Sequence, residues 1–138
     1  MKRNVIDLIF ELKLSCLTKE ESIREKLALS PAEFRGILSI DPLTAMPCNL
    51  LSKKMGLSVS RGSRVINKMM KSGYIKEAGG SDDKRVMNVA LTAKGINTQK
   101  KIHKMLEDCE SVIRKKLSGT EVDSLRKSLE KISDVLIS

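Results

Sequence analysis

Three features of the sequence predict a mainly α fold, a winged helix-turn-helix with a β-hairpin wing, flanked by N- and C-terminal dimerisation helices. Two short amphipathic helical patterns are split at Gly56, a hairpin pattern follows them directly, and long amphipathic stretches lie on either side. In the first short helix Leu50, Leu51 and Met55 form an apolar stripe while Lys53 and Lys54 point away from it. Gly56 suits the left-handed residue that closes a helix, because it has no Cβ to clash at positive φ. Leu57 carries the apolar contact across the turn. Ser58 is placed to cap a second helix that starts at about Val59.

That second helix divides into two faces. Gly62, Val65, Ile66, Met69 and Met70 recur at intervals of three and four and should bury against the first helix. Ser60, Arg61, Ser63, Arg64, Asn67, Lys68 and Lys71 fall on the other face, with no acid among them. A face of that composition suits the phosphates of double-stranded DNA. Together with Ser58, these residues down to Lys68 are the candidate recognition-helix contacts. Arg61 and Arg64 are suited to guanine edges, Lys68 and Lys71 to phosphates.

Gly73 ends the helix, Tyr74-Ile75-Lys76-Glu77 reads as a short strand, and Gly79-Gly80-Ser81-Asp82-Asp83 is turn chemistry. Val86, Asn88, Val89 and Leu91 form the return strand. The wing candidates are Asp83, Lys84 and Arg85, with the Asp83 carboxylate bracing an Arg85 that reaches a narrow minor groove.

Charge follows the same division. The chain of 138 residues carries a net charge of +9, yet residues 1–50 hold seven basic and seven acidic side chains, residues 51–95 ten and three, and residues 96–138 nine and seven. The excess therefore belongs to the reader. A winged module that binds a protein partner is the alternative, and it should present an uncharged recognition face. Arg61, Arg64 and Lys68 argue against it.

Other classes find little support. Three cysteines, at spacings of 32 and 61 residues, with the single His103, make neither a disulfide framework nor a zinc pattern. No metal and no cofactor is expected. Gly79-Gly80 precedes acids and lacks the Lys-Ser or Lys-Thr of a phosphate loop, and no Ser, His and Asp set is apparent, so an enzyme is not expected. The apolar N-terminal stretch is interrupted by Asp7, Glu11 and Lys13, which makes it neither a secretion signal nor a membrane span. The expected location is cytoplasmic, without membrane contact.

The length suits one domain, 1–138, with a winged core over 30–95 and dimerisation helices over 1–29 and 96–138. From Arg3 to Lys26 the pattern is helical, with Val5, Ile6, Ile9, Phe10, Leu12, Leu17 and Ile23 on a broad face and a break near Ser15 to Thr18. Ser30-Pro31-Ala32-Glu33 is a helix start: a capping Ser, Pro in the first turn, and Glu three residues after the cap. Phe34, Ile37, Leu38 and Ile40 continue it, and Asp41-Pro42 stops it. Thr92 begins a helix reaching about Leu117, with Ile96, Ile102, Met105, Leu106, Cys109, Val112, Ile113 and Leu117 on its stripe. At 1.5 Å per residue it runs about 39 Å, too long to bury its stripe on a small winged domain. After Ser118-Gly119-Thr120-Glu121 a last helix turns Val122, Leu125, Leu129, Ile132, Val135 and Leu136 inward. The unpartnered faces predict a homodimer; a monomer with the long helix folded back is the runner-up.

The run from Asp83 through Arg85 to Leu91-Thr92-Ala93-Lys94-Gly95 resembles the Asp-x-Arg, then Leu-Thr-x-x-Gly, wing signature of the MarR family of transcriptional regulators. The segment from Leu57-Ser58 to Gly73-Tyr74-Ile75 resembles that family's recognition helix and its exit into the wing. The resemblance implies a dimeric repressor on a pseudo-palindromic operator, released when a small-molecule effector binds between the reader and the dimer helices. Some members of the family sense peroxide through a thiol in the first helix, and Cys16 lies there. The neighbouring residues favour buried structural thiols for Cys16, Cys48 and Cys109. Gly62 departs from the family pattern at an inward position, where it is expected to cost about 1 kcal/mol of helix stability relative to Ala.

Overall fold

A computed structural model describes residues 2–79 and 86–137. In chain order the elements are α1 (Val5–Leu27), α2 (Pro31–Ser39), β1 (Met46–Pro47), α3 (Cys48–Lys54), α4 (Val59–Lys71), β2 (Ile75–Ala78), β3 (Asn88–Leu91), α5 (Ala93–Lys116) and α6 (Gly119–Ile137). The chain divides into two compact units, residues 1–101 and 102–138.

In the first unit, α1 is continuous. The break expected near Ser15 to Thr18 does not occur; the Ser15 and Thr18 hydroxyls donate back to the carbonyls of Glu11 and Leu14 within the helix, so that neither side chain competes for the backbone amides. Helix α2 starts as the sequence indicates. The Glu33 amide donates to Ser30 Oγ at 3.1 Å and the Ser30 amide donates to Glu33 Oε1 at 3.0 Å, so two orphan donors are satisfied at once. Phe34, Ile37 and Ile40 are buried beside Leu51, Met55, Ile66 and Met69, which places the core where α2, α3 and α4 meet. Gln99, near the start of α5, is buried and donates from Nε2 to the carbonyls of Ile37 and Ile40 at 2.8 and 2.7 Å. Without that amide, carbonyls left over at the end of α2 would be buried unpaired.

The sheet has three antiparallel strands in the order β1-β3-β2. The expected hairpin is present, with Ile75 opposite Leu91 and Ala78 opposite Asn88. Tyr74 and Val86 fall just outside the strands that the sequence assigned them to. Strand β1 is an addition: Met46 and Pro47 pair with Val89 and Asn88, and the Cys48 amide donates to the Met87 carbonyl at 2.9 Å. Pro47, which has no N–H to give, lies at the edge, where proline is tolerated.

Gly56 has φ +72° and turns the chain between α3 and α4 as expected. Leu51 and Met55 are buried, but Leu50 is exposed and does not belong to the core stripe. Gly62 is not the liability that the sequence suggests. A Cβ there would fall inside the Ser52 side chain and lie 3.2 Å from Ser52 Cα, so only glycine lets α4 approach α3 this closely.

The second unit contains the rest of α5 and α6. Between them the Ser118 amide donates to Glu121 Oε1 at 3.0 Å and the Glu121 amide to Ser118 Oγ at 3.2 Å, a capping box at the predicted break. Val122 is buried, while Leu125, Leu129, Val135 and Leu136, all expected inward, are exposed.

Candidate nucleic-acid interface

Helix α4 begins at its cap. The Arg61 amide donates to Ser58 Oγ at 3.3 Å, so the hydroxyl of Ser58 is engaged in holding the helix start. From there the two faces separate as their spacing requires: Gly62, Ile66 and Met69 are buried, while Ser60, Arg61, Ser63, Arg64, Asn67, Lys68 and Lys71 are all exposed. The helix therefore offers three hydroxyl or amide side chains and four cations on one surface, with no carboxylate of its own.

Among the described residues one of these cations has an internal partner. Lys68 Nζ lies 3.7 Å from Glu33 Oε1, and the Glu33 residue is only 4% exposed. The carboxylate that caps α2 thus also reaches the reader, a second role that the Ser-x-x-Glu spacing alone does not reveal.

The exit of the reader is tied down by the residues that carry the family-like motif. Gly73 has φ +83° and ends the helix, and the Tyr74 amide donates to the Met69 carbonyl at 3.0 Å. Thr92 Oγ1 donates to the Gly73 carbonyl, the Thr92 amide donates to the Tyr74 carbonyl at 3.0 Å, and the Gly95 amide donates to Thr92 Oγ1 at 3.0 Å. Any Cβ on Gly95 would run into the Tyr74 carbonyl. Lys94 Nζ donates to the Ser72 carbonyl at 2.6 Å and lies 4.6 Å from the centre of the Tyr74 ring. The Leu-Thr-x-x-Gly motif is therefore a clasp joining the reader's end, the sheet and α5. Burial, and secondarily the Glu33 charge, push the Tyr74 phenol above its ordinary pKa.

Of the wing candidates, Asp83, Lys84 and Arg85 lie outside the described residues. What is described is the paired strand on either side of them, ending at Ala78 and resuming at Asn88. A cleft of about 260 Å³ opens beside the reader, lined by Cys48, Asn49, Ser52, Val59, Ser63, Val86 and Met87. Val59, the first residue of α4, lines this cleft and is not among the sequence-based candidates.

The cysteines depart from expectation. Cys16 is exposed, and Cys48 and Cys109 are partly exposed, so none is the buried thiol predicted. The Cys48 thiol is nonetheless pushed up in pKa, first by burial and then by the Glu77 carboxylate. Among the described residues no group of three or more His, Cys, Asp or Glu is placed to hold a metal, and no helix is long and apolar enough to cross a membrane.

No protein-family model and no curated protein sequence matches the chain. Solved structures do match it over nearly its whole length. FabT of Streptococcus pneumoniae, solved in complex with DNA, superposes with a TM-score of 0.79 at 20% identity, covering 96% of this chain and 94% of that one. Wild-type MarR of E. coli gives 0.76 at 20% identity, covering 96% and 98%. The chain has the MarR fold. NadR, solved in complex with 4-hydroxyphenylacetate, gives 0.80 at 16% identity, with 96% and 94% covered. The helices that the sequence placed around the winged core, one ahead of it and two behind, are present as α1, α5 and α6.

Proposed function

We propose that the chain is a sequence-specific DNA-binding transcriptional regulator of the MarR type, acting as a homodimer on a pseudo-palindromic operator. The observation that carries the reading is the reader itself: a capped helix whose small inward face is locked against α3 and whose outward face is wholly exposed, basic and free of acids. Ser60, Arg61, Ser63, Arg64 and Asn67 are the side chains for base edges and nearby phosphates, with Arg61 and Arg64 suited to guanine O6 and N7. Asp83, Lys84 and Arg85 form the wing contact in this reading. A complex of FabT with DNA and one of NadR with 4-hydroxyphenylacetate support a DNA partner and a small-molecule effector.

The deciding experiment is protection of the DNA upstream of the protein's own coding sequence, repeated with Arg61→Ala and Arg64→Ala. A base-reading arginine should cost about 1 to 3 kcal/mol on specific DNA and less on random DNA. Failure to protect any DNA at low salt would favour a protein-binding winged module instead.

A further inference from the structure

Val59 is the one large apolar side chain on the exposed side of the reader's first turn, and it is 70% exposed. It sits directly after the Ser58 cap, with Ser60 and Ser63 on the same exposed surface, and forms one wall of the cleft beside the reader. A side chain that buried its methyls in the protein would be a core residue; this one presents them outward between hydroxyls and arginines.

We propose that Val59 is a specificity-determining residue that reads the 5-methyl group of a thymine in each half-site. The inference rests on the DNA-binding function proposed above. Residues at the N-terminal end of a recognition helix are the ones that reach base edges. The major-groove edges display donors and acceptors for all four bases but only one apolar group, the thymine methyl. The reader's first two turns then match the groove by chemistry: Arg61 and Arg64 meet guanine acceptors, Ser60 and Ser63 take either donors or acceptors, and Val59 takes the methyl. Burial of one methyl against Val59 also removes water from a surface otherwise occupied by charges, so the contact strengthens without a competing hydrogen bond.

The test begins with selection of binding sites from a random duplex library by the full-length protein. Each thymine of the selected site is then replaced in turn by deoxyuridine, which deletes only the methyl, and affinities are measured for the parent, Val59→Ala and Val59→Thr. At one thymine per half-site the parent should weaken by about four-fold, the worth of one methyl group withdrawn from water. Val59→Ala, which withdraws both γ-methyls, should lose most of the preference for thymine over deoxyuridine. Val59→Thr, which keeps one methyl, should retain part of the preference. Because Val59 is exposed, these variants leave the core untouched, and equal unfolding temperatures verify it. A selected site at which the parent is indifferent to every thymine methyl, or at which Val59→Ala keeps the parent's preference, overturns this inference and leaves the regulator reading standing. A library from which no sequence is enriched overturns both.

Discussion

Gly62 of α4 packs directly on Ser52 of α3, with no room for a single carbon between them. This contact sets the depth at which the reader helix is seated, and it fixes the sign of a simple substitution. Alanine at position 62 would gain about 1 kcal/mol of helix propensity. Against that, forcing a methyl into a packed interface costs about 1 to 3 kcal/mol, and the Ser52 backbone cannot move without shifting α3. Gly62→Ala should therefore lower the unfolding temperature. Ser52→Gly in the same chain should restore part of the loss by clearing the Cβ that the alanine strikes. Stabilisation by Gly62→Ala alone would show that the two helices can separate for less than the roughly 1 kcal/mol that the alanine gains.

The parts of the fold that the sequence disclosed are those determined within a few residues: the Ser30/Glu33 cap, the break at Ser118 to Glu121, the Gly56 turn, the two faces of α4 and the hairpin. What escaped depends on partners distant in sequence. Strand β1 is two residues long and exists only because Val89 and Asn88 come alongside. Gln99 looks like any polar helix residue until its amide meets carbonyls 62 and 59 positions away. Likewise nothing in Ser30-Pro31-Ala32-Glu33 announces that its carboxylate will meet Lys68, nor does a lone glycine say what presses on it.

The Glu33 carboxylate alters what is expected of Lys68. An ammonium held 3.7 Å from a buried carboxylate must leave or share that partner to neutralise a phosphate, whereas Lys71 projects from the exposed end of the same helix. In a plot of log affinity against log salt, Lys71→Gln should reduce the slope by close to one per reader. Lys68→Gln should reduce it by much less. Equal reductions would mean that the Glu33 pair exerts no hold on Lys68.

Cys48 offers a pH-dependent readout. Its thiol pKa is raised first by burial and then by the Glu77 charge, because both disfavour the thiolate. Thiolate is the reactive form, so alkylation of Cys48, followed with Cys16 and Cys109 replaced by Ser, should rise with pH through a midpoint above that of an ordinary thiol. Glu77→Gln should move the midpoint down but not fully back, since burial remains. An unchanged midpoint in that variant would remove Glu77 as a cause.

Arg85 is the wing residue expected to enter a minor groove, where narrow A·T-rich stretches attract arginine. Arg85→Ala should lower affinity, reduce the salt slope by about one per wing and weaken the preference for A·T at the outer flanks of the site. Asp83→Ala should act in the same direction more mildly, by removing a brace and not the contact. Binding by Arg85→Ala with the parent's affinity and slope would leave recognition to α4 alone.

Dimerisation is proposed from apolar surface left exposed on a single chain. On α1, Ile6, Phe10, Leu14 and Leu17 recur at spacings of four, four and three and are all exposed, Phe10 at 58% and Leu14 at 67%. On the terminal part of the chain, Val112 and Ile113 of α5 and Leu125, Leu129 and Leu136 of α6 are exposed as well. Stripes of this kind are too extensive for isolated surface residues and call for a partner; a twofold copy supplies the same stripe in return. Removing α1 outright would be a poor test, because Ile23 and Leu29 are buried in the core of the first unit and would be lost or unsupported. Phe10→Glu with Leu14→Glu is sharper, since both positions are exposed in one chain and charge there penalises only an interface. The double variant should sediment as a folded monomer, keep the parent's helical content, and bind a palindromic site far more weakly because two linked readers become two separate ones. A parent chain that stays monomeric at micromolar concentration, or a double variant that still dimerises, would place the self-association elsewhere or remove it.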